Sequence, residues 1–201
     1  INYTNICVDR CAFCAFSKEK GEAGGYTLAL QDIRTRAMEA ADAGATEIHM
    51  VGGLHPDLPF EFYLEMLQAI KKDRPQLHIK AFTAVEIDYF AQLTGQSVEA
   101  VIAELREAGL GSMPGGGAEI FAPAVRQRLC PEKISGQLWL EVMATVHGAG
   151  LRSNATMLFG HLETAADRVD HMAQLRALQD QTGGFQAFIP LAFQPANTRV
   201  P

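Results

Sequence analysis

The sequence predicts an α/β fold in which a parallel sheet curves into most of a (β/α) barrel. Strand-like and helical segments alternate along the 201 residues, with roughly 30 to 45 residues in each unit. Three of the helical segments end on an Ala-Gly pair that is followed at once by a strand-like segment. Because this alternation needs crossover connections between parallel strands, we expect about six strands of a barrel.

Five segments have the apolar spacing of amphipathic helices. They are Leu28–Ala43, Phe60–Asp73, Ser97–Ala108, Gly136–Ala149 and Ala165–Thr182. Gly44, Gly109 and Gly150 follow three of them, and glycine accommodates the left-handed backbone that commonly ends a helix. Thr164 and Asp167 resemble a capping box, which predicts the start of the last helix.

Six segments have strand-like sequences: Ile1–Asn5, Glu47–Val51, Leu77–Thr83, Leu110–Met113, Arg152–Leu158 and Phe185–Ile189. In four of them polar and apolar residues alternate, as Asn154 and Thr156 alternate with Ala155 and Met157. Side chains two residues apart lie on one face of a strand. Since helices cover the outside of a barrel, we expect the polar face to line a lumen that holds a polar ligand. Stray polar residues at strand ends are the alternative explanation.

A doubly wound open sheet is the alternative architecture. In that fold a glycine-rich turn follows the first strand, whereas here the glycine-rich segment 115–117 follows the fourth predicted strand. We expect residues 1–201 to form one domain that is a fragment of a longer protein, because the sequence lacks an initiator methionine and opens within an apparent strand. Flanking sequence would then complete the barrel.

Three cysteines lie close together near the amino terminus as Cys7-x3-Cys11-x2-Cys14. Three thiolates can hold three irons of a cubane 4Fe–4S cluster, which leaves one iron open to a ligand, as in a catalytic metal site. A zinc site and disulfides are the alternatives, but zinc motifs more often pair cysteines, and a chain of this size needs no disulfides. Cys130 is distant in sequence, and we expect it to be buried and not a ligand.

Composition limits the classes of partner. The formal net charge of −6 argues against nucleic acid, because phosphate binding needs clustered lysines and arginines. No lysine-rich run and no long apolar stretch appears in the sequence, so a membrane role has no support. We expect a cytoplasmic protein, since a reducing compartment suits an oxygen-sensitive cluster.

The cysteine motif resembles that of the radical S-adenosylmethionine superfamily. Phe13, directly before Cys14, is part of this resemblance. The flanking residues Asn5 and Phe16 resemble those of the branch of the superfamily that makes menaquinone and deazaflavin precursors. Within that branch the sequence most resembles the aminofutalosine synthase family. The matching segments are 53–59, 80–87, 114–121, 130–133, 154–161 and 188–193.

This resemblance implies a TIM-type barrel with a radical SAM core, a 4Fe–4S cluster on the three cysteines, and S-adenosyl-L-methionine as co-substrate. It implies a transferase of the futalosine pathway of menaquinone biosynthesis. The 5′-deoxyadenosyl radical would add to 3-[(1-carboxyvinyl)oxy]benzoate and give 6-amino-6-deoxyfutalosine. A small-molecule substrate and a reductant such as flavodoxin or ferredoxin are the implied partners. Cyclic dehypoxanthine futalosine synthase, deazaflavin-precursor synthase and a non-enzymatic iron–sulfur carrier are the alternatives.

The predicted site residues lie within strands or in the loops that follow them. Those implied to bind the cofactor are Phe13, Gly52, Gly53, Thr83, Glu86, Gly116, Glu119, Asn154 and Glu163. Lys80 and Arg152 are expected to pair with substrate carboxylates. His55 and His161 are expected to orient a carboxylate or move a proton. Structural capping is the alternative for both histidines, and stabilisation of a helix N-terminus is the alternative for Glu163.

One position departs from the superfamily pattern. A Gly-Gly-Glu motif commonly receives the amino group of the cofactor after the second strand, but here Leu54 follows Gly52-Gly53. The two glycines still allow backbone carbonyls to approach an ammonium group. The sequence therefore leaves open which acidic residue, if any, helps to bind the amino group of the cofactor.

Overall fold

The computed structural model describes residues 1–200 and contains a parallel sheet packed against helices. Five strands are hydrogen-bonded in chain order: β1 Glu47–Met50, β2 His78–Ala81, β3 Ser112–Met113, β4 Arg152–Phe159 and β5 Phe185–Ala192. Every neighbouring pair is parallel. The predicted parallel α/β architecture is therefore confirmed.

Seven helices connect or flank these strands within residues 1–200. They are α1 Leu30–Asp42, α2 Phe60–Asp73, α3 Ala84–Thr94, α4 Val98–Ala108, α5 Pro123–Leu129, α6 Gly136–Gly148 and α7 Ala165–Thr182. The five predicted helices are present, and Gly44, Gly109 and Gly150 all have the left-handed backbone expected after a helix. Thr164 and Asp167 form the predicted capping box.

Two helices and one strand differ from the prediction. Helix α3 buries residues on most of its surface, so it lacks a clear amphipathic pattern, and α5 has only 7 residues. The predicted strand Ile1–Asn5 is present only as isolated bridges, from Asn2 to Val51 in parallel and from Thr4 to Thr27 in antiparallel orientation. The first segment therefore lies beside β1 without forming a continuous strand.

The two faces of the strands separate apolar from polar residues as the alternation predicts. Ile48, Met50 and Ile79 belong to the main core under the helices. His49 and Asn154, which have the opposite parity, line an internal cavity instead. The polar face of the sheet therefore faces the lumen.

At the end of the sheet, β5 pairs only with β4 among the described strands. Phe188, Ile189 and Leu191 on β5 are exposed.

No helix within residues 1–200 combines the length and apolar character needed to cross a bilayer.

A buried histidine joins α7 to the sheet. His171 is fully buried, its ring stacks on Phe121 with centroids 4.0 Å apart, and its Nε2 lies 2.9 Å from the Thr156 carbonyl oxygen. Burial lowers the pKa of His171 to about 4. Since the folded pKa lies below the ordinary value of 6.5, the stability that neutral His171 contributes is complete above pH 6.5 and is lost as the pH falls toward 4.

We therefore expect the free energy of unfolding to fall by about 2 kcal/mol between pH 7 and pH 4.5 through His171. The variant His171→Phe, which keeps a ring against Phe121, should lack this part of the pH dependence. Urea unfolding of both proteins at the two pH values measures it. An equal loss in wild type and variant would contradict the assignment.

Candidate active site

A cavity of about 450 Å³ lies at the carboxyl ends of the strands. This is the end at which parallel barrels place their active sites, and the volume is in the range of small-molecule sites. The polar side chains of Asn2, His49, Asn154 and Thr156 line it together with the cysteine loop, residues 7–14. The predicted polar lumen is therefore this cavity.

Backbone hydrogen bonds fix the cysteine loop over the cavity. The Val8 N–H donates to the Leu54 carbonyl at 3.0 Å, and the Ala12 N–H donates to the Leu129 carbonyl at 2.6 Å. From the other side, the Arg199 N–H donates to the Ala12 carbonyl at 2.7 Å, and the Arg199 guanidinium donates to the Arg10 carbonyl at 2.7 Å. Segments distant in sequence therefore hold the loop.

Cys7, Cys11 and Cys14 all line the cavity, and all are free thiols. The Cys7 Sγ accepts the Leu54 N–H at 3.3 Å, and the Cys14 Sγ accepts the Ser17 N–H at 3.3 Å. Such bonds to sulfur tune iron–sulfur sites. Among residues 1–200, no three metal-binding side chains already stand in a ligand arrangement. The donor set nevertheless fits a cubane cluster with one open iron, since three free thiols share one loop and one cavity.

Cys130 lies closer to this loop than the sequence indicated. It is buried, as expected, and packs in the same small core as Cys11. The two cysteines belong to a small second core with Ile120, Val125 and Met157. The spacing of residues along the chain carries no signal for this contact, which arises because α5 packs under the cysteine loop.

The glycine pair after β1 allows the cysteine loop to approach the sheet closely. A Cβ on Gly53 would overlap the Ile6 carbonyl oxygen and would lie 2.9 Å from the Cβ of Cys7. The Gly53 N–H donates to the Thr4 carbonyl at 3.0 Å. Any larger residue at position 53 would therefore displace the backbone that carries the first cysteine.

A buried carboxylate stands behind the glycine pair. Glu86 accepts hydrogen bonds from the Tyr3 hydroxyl, from the Gly52 N–H at 3.2 Å, and from the N–H and hydroxyl of Thr83 at 2.7 and 2.8 Å. Burial raises the pKa of Glu86, while these hydrogen bonds oppose the rise. Both oxygens are occupied by protein donors, so Glu86 positions the loops around the cavity.

A buried ion pair lies on the other side of the cysteine loop. The Lys133 ammonium lies 3.0 Å from the Glu119 carboxylate, with side chains only 13% and 10% exposed. The ammonium also lies 5.0 Å from the centroid of the Phe13 ring. Burial alone would lower the pKa of Lys133, but the neighbouring groups together, Glu119 first and then Cys11 and Cys130, raise that pKa and keep the lysine charged. Glu119 has a left-handed backbone with φ of 46°, which costs about 1–3 kcal/mol in a residue other than glycine.

Lys80 and Arg152 lie on the lumen face, as the alternation predicts, but outside the cavity lining. Lys80 pairs with Glu47 at 2.9 Å, and Arg152 donates to the Gly183 carbonyl. Both partners lie at the amino ends of the strands, opposite the cysteine loop. The structure therefore does not bring these two cations to the cysteines.

His55, His161 and Glu163 also lie outside the cavity lining and form local turns. The His55 Nδ1 accepts the Asp57 N–H at 3.1 Å, and the His161 Nε2 lies 2.9 Å from the Leu158 carbonyl. Glu163 accepts the N–H groups of Gly160 and His161 at 2.6 and 2.9 Å. These contacts favour the structural alternatives for the three residues.

Most of the other predicted residues come together around the cavity. Its lining includes Phe13, Gly52, Gly53, Thr83, Glu86, Gly116 and Asn154 together with the three cysteines. Sequence reasoning missed His49 and Lys133 as lining residues. The parity of β1 already indicated that His49 faces the lumen, whereas Lys133 follows a helix that the sequence did not reveal. Burial lowers the pKa of His49, which favours a neutral imidazole at neutral pH.

Replacing Glu86 by Gln should reduce the free energy of unfolding by about 1–3 kcal/mol, because the amide presents N–H groups to donors that need an acceptor. Glu65, exposed on α2, offers the matched control, and Glu65→Gln should stay within about 0.5 kcal/mol of wild type. Urea unfolding monitored by circular dichroism compares the two variants. Equal stability of both would show that the network around Glu86 is not needed.

Known proteins resemble this chain in sequence and in fold. The model of the radical SAM superfamily matches residues 1–175. Aminodeoxyfutalosine synthase of Thermus thermophilus is 47% identical over 195 residues, covering 97% of this chain and 52% of that protein. A 5-amino-6-(D-ribitylamino)uracil–L-tyrosine 4-hydroxyphenyl transferase of Methanopyrus kandleri is 44% identical over 200 residues, covering 100% of this chain and 54% of that protein.

Among solved structures, methylornithine synthase superposes with a TM-score of 0.77 at 15% identity, covering 99% of this chain and 54% of that one. This likeness concerns the fold alone. The chain spans about half the length of the relatives that it matches. The extent of the family match, together with the identity to both relatives, shows that the chain belongs to the radical S-adenosylmethionine superfamily of enzymes.

Proposed function

We propose that this chain is the core of an aminofutalosine synthase, which adds the 5′-deoxyadenosyl radical to 3-[(1-carboxyvinyl)oxy]benzoate and forms 6-amino-6-deoxyfutalosine. The observation that carries the proposal is the group of three free cysteines on one loop over a cavity with a polar floor. The 47% identity to an aminodeoxyfutalosine synthase supports this reaction within the family.

Cys7, Cys11 and Cys14 would hold the 4Fe–4S cluster, with S-adenosyl-L-methionine on its open iron. When bound, the cluster supplies the single electron that cleaves the sulfur–carbon bond of the cofactor. The chain itself positions the sulfurs of Cys7 and Cys14 through the N–H groups of Leu54 and Ser17. It also gives the cavity an apolar wall that includes Val51, Leu54, Ile189 and Leu191.

The polar floor would orient the bound molecules. His49 on β1 and Asn154 on β4 both line the cavity. A neutral imidazole and an amide both donate and accept hydrogen bonds. Hydroxyl groups of a ribose and carboxylates of a benzoate are the chemical classes that such groups bind.

The metal site makes a direct prediction. After anaerobic reconstitution the wild-type protein should contain about four irons per chain, and adding S-adenosyl-L-methionine should change its low-temperature paramagnetic spectrum. Replacing Cys7, Cys11 or Cys14 by Ala should remove most of the iron, because a cluster then has only two thiolate ligands. Cys130→Ala is the matched control, since Cys130 is equally a free cysteine beside the loop, and it should keep its iron. A Cys130 variant without iron would instead indicate a fourth ligand and a closed cluster.

The reaction itself is tested with the full-length protein, cofactor, a low-potential reductant and one candidate substrate at a time. The carboxyvinyloxy-benzoate should give a product with the mass of 6-amino-6-deoxyfutalosine. The relative from Methanopyrus kandleri is named for 5-amino-6-(D-ribitylamino)uracil and L-tyrosine, so these two compounds form the second assay. Dehypoxanthine futalosine forms the third. Turnover in the second or third assay alone would reassign the enzyme within the family.

A further inference from the structure

One cation lies in the wall of the cavity beside the cysteine loop. Among residues 1–200, Lys133 is the only lysine or arginine that lines the cavity. Its partner Glu119 does not line the cavity, although the ion pair is 3.0 Å long and both side chains are almost completely buried. The cavity therefore faces the positive member of this pair.

The segment that carries Lys133 is attached directly to the cysteine loop. The Ala12 N–H donates to the Leu129 carbonyl at 2.6 Å, and the Arg10 N–H donates to the Glu132 carboxylate at 2.6 Å. The Lys133 N–H donates to the Cys130 carbonyl at 3.1 Å and closes the turn after α5. The ammonium is therefore held in a fixed place relative to the three cysteines.

Phe13 supplies a second contact between the lysine and this loop. Its ring centroid lies 5.0 Å from the Lys133 ammonium, within the distance of a cation–π interaction. Because Phe13 immediately precedes Cys14, the contact holds the positive charge next to a predicted cluster ligand. A surface lysine, free to move in water, would lack this position.

A fixed cation acts on a cluster through its charge. Three thiolates give the cluster a net negative charge, and one added electron makes it more negative. A cation nearby stabilises the reduced form more than the oxidised form, and low exposure to water strengthens the effect. Net charge around a cluster is one of the factors that set its reduction potential.

We propose that Lys133 raises the reduction potential of the cluster on Cys7, Cys11 and Cys14, and so eases the transfer of one electron from a low-potential donor of the flavodoxin or ferredoxin class. No bond forms or breaks in this step, in which the donor loses one electron and the cluster gains it. Lys133 acts as a positioning residue through its charge. The inference rests on the proposed function, because it requires the cluster.

The test is a redox titration of the anaerobically reconstituted full-length protein, followed by electron paramagnetic resonance with iron content measured in each sample. Replacing Lys133 by Met removes the charge but keeps a chain of similar length. It should lower the reduced-to-oxidised ratio at least tenfold at a fixed potential, which is a fall of about 59 mV for a one-electron couple. Lys133→Arg should stay close to wild type.

Lys72 provides a matched control, since it is exposed on α2 and does not line the cavity. Lys72→Met should leave the midpoint potential unchanged. Glu119→Gln is a second variant, because it removes the carboxylate that partly offsets the ammonium and should raise the midpoint potential. If Lys133→Met fails to hold iron, the midpoint potential of Glu119→Gln tests the proposal instead.

The outcomes separate the two proposals. A wild-type protein that binds no cluster would overturn the proposed function. A cluster of normal iron content whose potential is unchanged in Lys133→Met, or in Glu119→Gln if the first variant lacks iron, would overturn the role of Lys133 alone. A raised KM for the substrate with an unchanged potential would assign Lys133 to carboxylate binding instead, and would also overturn the inference.

Discussion

The arrangement of the cavity depends on one buried carboxylate. Glu86 is 2% exposed, and an ion in such a place must have its oxygens satisfied by donors. The donors come from Tyr3, Gly52 and Thr83, which belong to the chain before the cysteine loop, after β1 and after β2. These three segments cannot move apart without leaving the carboxylate unpaired. The network therefore fixes the base of the cysteine loop against two strand ends.

The polar face of the sheet has two halves with different chemistry. At the amino ends of the strands, Lys80 pairs with Glu47 and His78 hydrogen-bonds Ser112 at 2.7 Å, so protein partners satisfy these groups. Toward the carboxyl ends, polar side chains line the cavity instead. Because these internal pairs fill the lumen at the amino ends of the strands, only the half at the carboxyl ends is left for a ligand. This division explains why polar pairs fill one end of the lumen while the other end forms a binding site.

The sequence predicted the features that depend on the local spacing of residues. It missed those that depend on which end of a strand a residue occupies, or on packing between distant segments. Alternation identified the lumen face and the cysteine spacing identified the loop, because both are set by neighbours along the chain. Alternation cannot tell one end of a strand from the other, so it led to the prediction that Lys80 and Arg152 pair with substrate carboxylates in the lumen. The shared core of Cys11 and Cys130 and the approach of Lys133 both depend on α5, a short helix whose sequence shows no clear pattern. The hydrogen-bond network of Glu86 depends on α3. The apolar residues of this helix are spread around its surface too evenly to show a helical period in the sequence.

The charge of the cavity limits which substrates it can bind. A carboxyvinyloxy-benzoate carries two carboxylates, and anions removed from water need cations or several hydrogen-bond donors. Within residues 1–200 the lining supplies one permanent cation, Lys133, and Glu119 already offsets part of its charge. If Lys133 serves the cluster, the carboxylates must be bound by neutral donors such as Asn154, by backbone N–H groups, or by residues that a protein of the relatives' length carries elsewhere. With the proposed cluster and the proposed substrate both bound, the two would compete for the same positive charge, and measuring potential and substrate affinity in the same Lys133 variants decides between them.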